Sequence, residues 1–194
     1  MIEHTLVVIK PDGVVRGLTG QIIARFERVG LKIVAAKMMQ VTKDLAQKHY
    51  PADREELWVG IGNKTLENYA DEGLDPIKEV GTADPKEIGD KVRVWLHEYI
   101  TEGPVFAFVL EGPHSVELVR QITGHTLPLK AAPGTIRGDY SFDSAAMANA
   151  KKRPIRNLIH ASGNREEAEF EVNLWFGKDE FVSYKRAEEF AMLG

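Results

Sequence analysis

Ile155-Arg156-Asn157-Leu158-Ile159-His160-Ala161-Ser162-Gly163-Asn164 is a short, largely apolar segment that brings a histidine to the threshold of a helix. Asn164 is placed to cap that helix, and Glu167, three residues on, to answer it in the manner of a capping box. Ala168, Val172, Trp175 and Phe176 then recur at helical spacing and give the helix a buried face. The segment carrying His160 therefore reads as a strand or turn that ends where free backbone N–H groups begin, and such an end attracts anions. A histidine of near-neutral pKa beside an anion site is a candidate phosphoryl acceptor. A lone histidine in an apolar segment is more often a hydrogen-bonded core residue, and from this segment alone both roles stay open.

Upstream, the β-branched run Thr5 to Ile9 reads as a buried strand closed by a turn at Lys10-Pro11-Asp12-Gly13. Thr19 is placed to cap a helix with Ile22, Ile23, Phe26 and Val29 on one face and Gly30 at its end. Leu31 to Val41 follows as a strand, and Thr42 opens a short helix that runs to His49-Tyr50 and stops at Pro51. Asn63 to Gly73 resembles a short helix. Asp84-Pro85-Lys86-Glu87 is a strong helix start, with Ile88, Val92, Trp95, Leu96 and Tyr99 marking one face. Pro104 to Leu110 is a third strand. Pro113 opens a helix with Val116, Val119 and Ile122 inward, and smaller helices are expected over Asp143 to Ala150 and Ala187 to Leu193. Without the middle segment, this order fits β-α-β-β-α-β, a ferredoxin-like α+β sandwich of the α/β class with an antiparallel sheet and extra helices. The reading is of one domain over residues 1–194 with a helical insertion at residues 52–90.

Composition removes several classes of function. With 43% hydrophobic and 28% charged residues in 194, a packed core is within reach and disorder is not expected. A net charge of −4 argues against a sequence-general nucleic-acid binder. The absence of cysteine excludes disulfides, thiolate zinc sites and a cysteine nucleophile. The first residues lack a signal-peptide pattern and no segment approaches a membrane span, so a cytoplasmic protein is the expectation. Walker and Rossmann phosphate loops are missing, but Gly134-Thr135-Ile136-Arg137-Gly138-Asp139 sets an arginine between two glycines. Glycines let a backbone approach a ligand and arginine grips phosphate with a fork of donors, although an ordinary surface loop reads the same way.

Taken together, four stretches resemble nucleoside diphosphate kinases. They are Leu6-Val7-Val8-Ile9-Lys10-Pro11-Asp12-Gly13-Val14 with Arg16-Gly17, His49-Tyr50, Pro133 to Asp139, and Asn157-Leu158-Ile159-His160-Ala161-Ser162. The resemblance spans residues 3–50 and 103–186 and implies a ping-pong transfer of a γ-phosphate onto a histidine and then onto a nucleoside diphosphate. It implies His160 as nucleophile, Glu171 as the carboxylate orienting the other ring nitrogen, and Ser162 bonded to that carboxylate. By the same resemblance Lys10, Arg120 and Arg137 are cationic phosphate ligands, Thr126 a hydroxyl ligand, Tyr50 the active-site tyrosine and Asn157 the contact to the sugar. Mg²⁺ is expected to arrive with the nucleotide, held by phosphate oxygens and water. ATP and other nucleoside di- and triphosphates are the implied partners, with homo-oligomers, most often hexamers.

Spacing alone reads Glu171 as an exposed glutamate, Lys10 as a strand end, Arg120 as a solvated helix face and Tyr50 as a hydrophobic anchor. In an ideal strand Asn157 and His160 face opposite sides, so they converge only if the strand begins after Asn157 or is irregular there. The sequence departs from the family's pattern at four places. Gly163 replaces an aspartate, and the segment from Tyr50 to Gly103 is much longer. Val92 falls where the base-stacking phenylalanine belongs, with Trp58 and Tyr69 as aromatic substitutes. Extra residues, including Lys151, Lys152 and Arg153, precede Asn157 and read either as a cationic rim or as simply solvated. The insertion is expected to form either a lid over the nucleotide or a solvent-facing or subunit-contacting ornament. Besides the kinase, two other classes stay in view: a nucleotide-binding regulatory homologue with weak or no turnover, and a structural or nucleic-acid-interacting protein that the acidic balance disfavours.

Overall fold

The computed structural model describes residues 2–151, 153–187 and 189–193. In chain order the elements are β1 (Ile2–Ile9), α1 (Pro11–Val15), α2 (Thr19–Glu27), β2 (Lys32–Gln40), α3 (Lys43–His49), α4 (Glu55–Asp71), α5 (Pro76–Val80), α6 (Pro85–Thr101), β3 (Pro104–Pro113), α7 (Ser115–Thr123), α8 (Ile136–Tyr140), α9 (Ala145–Ala150), β4 (Ile159–Ala161), α10 (Arg165–Trp175) and α11 (Glu189–Leu193). The four strands form an antiparallel sheet in the order β2-β3-β1-β4, as a β-α-β-β-α-β core requires. Both faces of the sheet are covered. Leu6 and Val8 of β1 point into one apolar cluster with Val172, Trp175 and Ala46, while Val7 and Ile9 point into the other with Ile22, Phe26, Val119 and Ile136. That is why β1 is apolar at consecutive positions instead of alternating. Among the described residues no helix is long and apolar enough to cross a membrane.

The residues between α3 and β3 build a third apolar cluster. Tyr69, Val80 and Ile88 close it with Ala145 of α9, and Leu66, Leu74, Val92 and Trp95 pack against it. Asp84 Oδ1 accepts the N–H groups of Lys86 (2.7 Å) and Glu87 (3.3 Å), the cap expected for α6. The helix expected from Asn63 begins eight residues earlier, at Glu55. Gly60 and Gly62 weaken the helical pattern of this first part. Their partner on the other helix explains one of them. A Cβ on Gly62 would lie 1.8 Å from the carbonyl oxygen of Pro85, and one on Gly89 2.1 Å from that of Trp58. The two glycines are the close-approach points of α4 and α6.

Other boundaries shift for local reasons. Lys10 to Gly13 is not a simple turn, because Pro11 starts the short helix α1. Pro113 ends β3 instead of opening a helix, and α7 starts at Ser115 after His114 turns the chain at φ 53°. Thr19 is the first residue of α2, not its cap. The helix expected over Asp143 to Ala150 is α9 and begins at Ala145. The terminal helix runs from Glu189, and Glu188 lies outside the described residues.

Candidate active site

The histidine segment reaches the sheet through an irregular step. β4 begins only at Ile159, and Leu158 just before it has φ 67°, in the left-handed region that a leucine rarely occupies. Three contacts hold it there. Lys10 N–H donates to the Leu158 carbonyl at 2.8 Å, Leu158 N–H donates to Asp12 Oδ2 at 3.2 Å, and the side chain is fully buried under the sheet. The reversal of the strand's alternation brings Asn157 and His160 to the same cavity.

Around His160 the polar groups are ordered by one buried carboxylate. His160 Nε2 lies 2.9 Å from Glu171 Oε2, and Ser162 Oγ donates to the same oxygen at 2.6 Å. Burial raises the Glu171 pKa, but His160, His49 and the Ser162 hydroxyl together outweigh it and bring it to about 2, so the group is an anion. An anion only accepts, so Nε2 carries a hydrogen, and in the neutral form of the ring the lone pair is on Nδ1. His49 stands edge-on to His160 with ring centroids 4.5 Å apart, and its Nδ1 accepts from Trp175 Nε1 at 3.3 Å. Burial, then the neighbouring His160, lowers the His49 pKa to about 3, which keeps that ring neutral. Tyr50 follows on α3's end, 6.4 Å from His160 by centroids, and burial raises its phenol pKa.

The opposite wall is cationic. Lys10 Nζ donates to Asn157 Oδ1 at 2.8 Å. Burial, then Arg137, lowers the Lys10 pKa to about 7, despite the opposing pull of Asp12. Arg137 donates from Nε to the Asn157 carbonyl (3.1 Å), from Nη1 to Gly124 (2.9 Å) and from Nη2 to Ile159 (2.6 Å). Three of five guanidinium donors are thus committed to backbone. Burial lowers the Arg137 pKa to about 10, so the group stays charged at neutral pH. The cavity between these walls measures about 180 Å³. Its lining includes Lys10, Tyr50, Arg120, Thr126, Arg137, Asn157 and His160, and among the described residues no carboxylate. Cations and neutral donors facing an imidazole suit a polyanion such as a phosphate chain.

The profile of the nucleoside diphosphate kinase family matches residues 3–59 and 91–181. The chain belongs to the nucleoside diphosphate kinase family. It is 46% identical over 182 residues to the nucleoside diphosphate kinase of Pyrobaculum aerophilum, covering 93% of this chain and 98% of that one. A crystal structure of an NDP kinase from that organism superposes with a TM-score of 0.88 at 44% identity, covering 94% of this chain and all of the other. The Borrelia burgdorferi enzyme, solved as a transition-state mimic with vanadate and ADP, has a TM-score of 0.78 at 40% identity, covering 98% and 96% of the two chains. Residues 60–90 lie outside the family profile, yet these full-length relatives are of similar length.

Of the expected nucleoside diphosphate kinase residues, nine meet here. Seven line the cavity, and Glu171 and Ser162 stand behind His160. Glu171 is buried on α10, not exposed as its spacing suggested. Val92 is the exception. It is not among the cavity-lining residues and packs against the third apolar cluster, while Leu96, one turn further along α6, reaches the cavity. Trp58 and Tyr69 are each 2% exposed, and the Trp58 indole is tied to the Pro51 carbonyl at 2.8 Å, so neither is loose to fold over a base. No residue from 52 to 90 lines the cavity, so the expected lid is not assembled over it in this structure. Arg153 pairs with Asp143 instead of forming a rim, and Lys152 lies outside the described residues. Gly163 is accommodated by Glu167. Asn164 Oδ1 accepts the Glu167 N–H at 2.8 Å, and the Glu167 carboxylate accepts the Gly163 N–H at 2.8 Å, one residue earlier than a capping box would place it. His49, Asp12 and Tyr99 escaped the residue-by-residue reading. Their signals were present, in the doublet His49-Tyr50, in the acidic residue after Lys10-Pro11, and in an aromatic at the end of the α6 stripe. Among the described residues, His49, His160 and Glu171 form the group with donors close enough for a metal, within 4.8 Å. Two imidazoles and one carboxylate do not suit Mg²⁺, which prefers oxygen.

Proposed function

We propose that this protein transfers the γ-phosphate of a nucleoside triphosphate to a nucleoside diphosphate through a phosphohistidine on Nδ1 of His160. The observation that carries the reading is the bond from Nε2 to Glu171, which fixes the tautomer and directs the other nitrogen's lone pair to the reaction. In the first half-reaction Nδ1 attacks the γ-phosphorus, the bond to the β–γ bridging oxygen breaks, and the nucleoside diphosphate leaves. The ring becomes an imidazolium whose charge Glu171 balances while Nε2 keeps its proton. In the second, a terminal β-phosphate oxygen of the acceptor takes the phosphoryl group and the neutral imidazole is restored. Lys10, Arg120 and Arg137 neutralise phosphate charge, which is most of what this chemistry asks of a protein. Thr126, Tyr50 and Asn157 complete the nucleotide contacts. Mg²⁺, carried in with the nucleotide as part of the substrate, would supply further charge neutralisation.

The regulatory reading without turnover is not favoured. Its motives are Gly163 and the missing base-stacking phenylalanine; against them, the Gly163 N–H is taken up by Glu167, Ser162 keeps its bond to Glu171, and relatives at 46% and 41% identity are nucleoside diphosphate kinases. One domain carrying a helical insertion, a homo-oligomer, most readily a hexamer, and a cytoplasmic setting belong to the same proposal. Light scattering measures the oligomer. The decisive experiment is a single-turnover assay with ATP labelled at the γ-phosphate. Wild type is expected to take up acid-labile label and release it to GDP, and His160→Asn to do neither. Labelling of His160→Asn, or ATP binding by wild type without transfer, overturns the assignment.

A further inference from the structure

Tyr99 is buried near the end of α6 and belongs to none of the family-derived site residues. Its hydroxyl accepts the N–H of Asn157 at 3.1 Å. Lys10 Nζ lies 4.7 Å from the centroid of its ring, and the Arg156 guanidinium lies at 4.7 Å as well. Lys10 Nζ and Asn157 Oδ1 are themselves bonded at 2.8 Å. Tyr99 therefore touches both members of the pair that lines the phosphate side of the cavity, one through its oxygen and one through its π face. We propose that Tyr99 is a positioning residue for phosphoryl transfer, holding Asn157 by its backbone and keeping the Lys10 Nζ aimed at the cavity.

The hydroxyl has a geometric task. Asn157 immediately precedes the left-handed Leu158, so its peptide must be fixed if the turn is to deliver both Asn157 and His160 to one cavity. Asp12 holds the next N–H, that of Leu158. Tyr99 and Asp12 thus grip two consecutive amides at the step into β4. Burial and the adjacent Asp12 carboxylate keep the phenol protonated.

The ring has an electrostatic task. Lys10 is buried and faces Arg137 from α8, Arg156 from the segment before β4, and His49 from α3, with Asp12 on α1 as its nearby carboxylate. Two cations beside it oppose its charge. An aromatic face attracts an ammonium, and more so out of water. The helix that carries Tyr99 also carries Ile88, Val92 and Trp95 into the third apolar cluster, so the ring's placement is anchored away from the site.

The inference rests on the phosphoryl-transfer reading, and two substitutions in the full-length protein test it. Tyr99→Phe keeps the ring and removes the oxygen. Tyr99→Leu removes both. For Tyr99→Phe we expect kcat/KM for ATP to fall about fivefold, the scale of one lost hydrogen bond, with the melting temperature nearly kept. For Tyr99→Leu we expect a further loss of about tenfold, carried mainly by KM, because a buried ammonium loses its aromatic face. Partial restoration by phenylalanine relative to leucine is the signature of positioning. The Lys10 titration, followed by carbon NMR of its ε-methylene, is expected to move to lower pH in Tyr99→Leu and to stay in Tyr99→Phe. Wild-type kcat and KM in both variants overturn the inference. So does an unmoved Lys10 midpoint in Tyr99→Leu, or a loss in both variants that matches the unfolded fraction with KM unchanged. The NMR titration needs no turnover, so it judges Tyr99 separately from the labelled-ATP assay that judges the reaction.

Discussion

Glu171 Oε2 takes the Nε2 hydrogen of His160 at 2.9 Å while accepting the Ser162 hydroxyl through the same oxygen at 2.6 Å. In the proposed reaction the carboxylate does two jobs, as a tautomer lock before transfer and as a counter-charge after it. Glu171→Gln keeps the shape and loses the charge. Charged hydrogen bonds contribute about 1.5–3 kcal/mol, so phosphohistidine formation is expected to slow about 10- to 100-fold, with the nucleotide KM little changed. Ser162→Ala is expected to cost less, and the double variant less than the product of the two, because both act through one oxygen. Rapid-quench measurement of label on His160 checks this, and a Glu171→Gln rate equal to wild type contradicts it.

Lys10 is predicted to take up a proton when nucleotide binds. Its pKa in the folded protein is about 7, and a phosphate beside it favours the charged form. At pH 8, calorimetric titration with ADP in two buffers of different ionisation enthalpy is expected to show net proton uptake, which Lys10→Met removes. Affinity for ADP falls as pH rises above 7. The sign for stability is opposite. The unfolded lysine holds its proton to higher pH, so this group's contribution to stability rises between pH 7 and its ordinary value of 10.5.

His49 and Glu171 predict acid sensitivity in two overlapping windows. Both have folded pKa values below their ordinary ones, about 3 against 6.5 and about 2 against 4.5. The unfolded chain binds the extra protons first, so stability is full above pH 6.5 and is lost as pH falls through these windows. Urea midpoints measured from pH 7.5 to 4 are expected to decline below 6.5 in wild type. In His49→Gln the decline begins nearer 4.5, where Glu171 takes over.

Three glycines on two helices predict opposite responses to alanine. Gly60 has nothing within 4 Å of an added Cβ, so Gly60→Ala is expected to stabilise α4 by about 0.5–1 kcal/mol. Gly62→Ala and Gly89→Ala drive a methyl into the Pro85 and Trp58 carbonyls of the facing helix and are expected to lower the melting temperature by several degrees, a cost of about 1–3 kcal/mol. Thermal melts of the three variants decide the point. A gain at Gly62 would show that the helices are not in close contact there.

The core was legible because its rules are local. Thr5 to Ile9 is apolar without alternation, which only a sheet covered on both faces produces, and the capping residues Thr42, Asp84 and Asn164 announce their helices by chemistry. The site was legible through motifs whose members are far apart in sequence, Lys10 and Asn157 being bonded across 147 residues. What stayed hidden depends on partners. Gly62 breaks a helical pattern unless Pro85 is known to lie against it. Glu171 reads as solvent-facing until His160 and Ser162 are placed behind it. Val92 was chosen by counting along the chain, and a single helical turn separates it from Leu96, which reaches the cavity.

Ala145 belongs to the apolar cluster of α4, α5 and α6, and Glu72 at the end of α4 accepts the N–H groups of Ala145 and Ala146 at 3.1 and 2.8 Å. Lys130 reaches back to Asp71 at 2.5 Å. The helices between α3 and β3 and the stretch before β4, one on each side of β3, are thus a lock and its key. Neither is a detachable module. Excising residues 55–85 alone would strip the cap from α9 and bare its inner face, upstream of the very segment that presents His160. A shortened chain keeps its packing only by losing both stretches together.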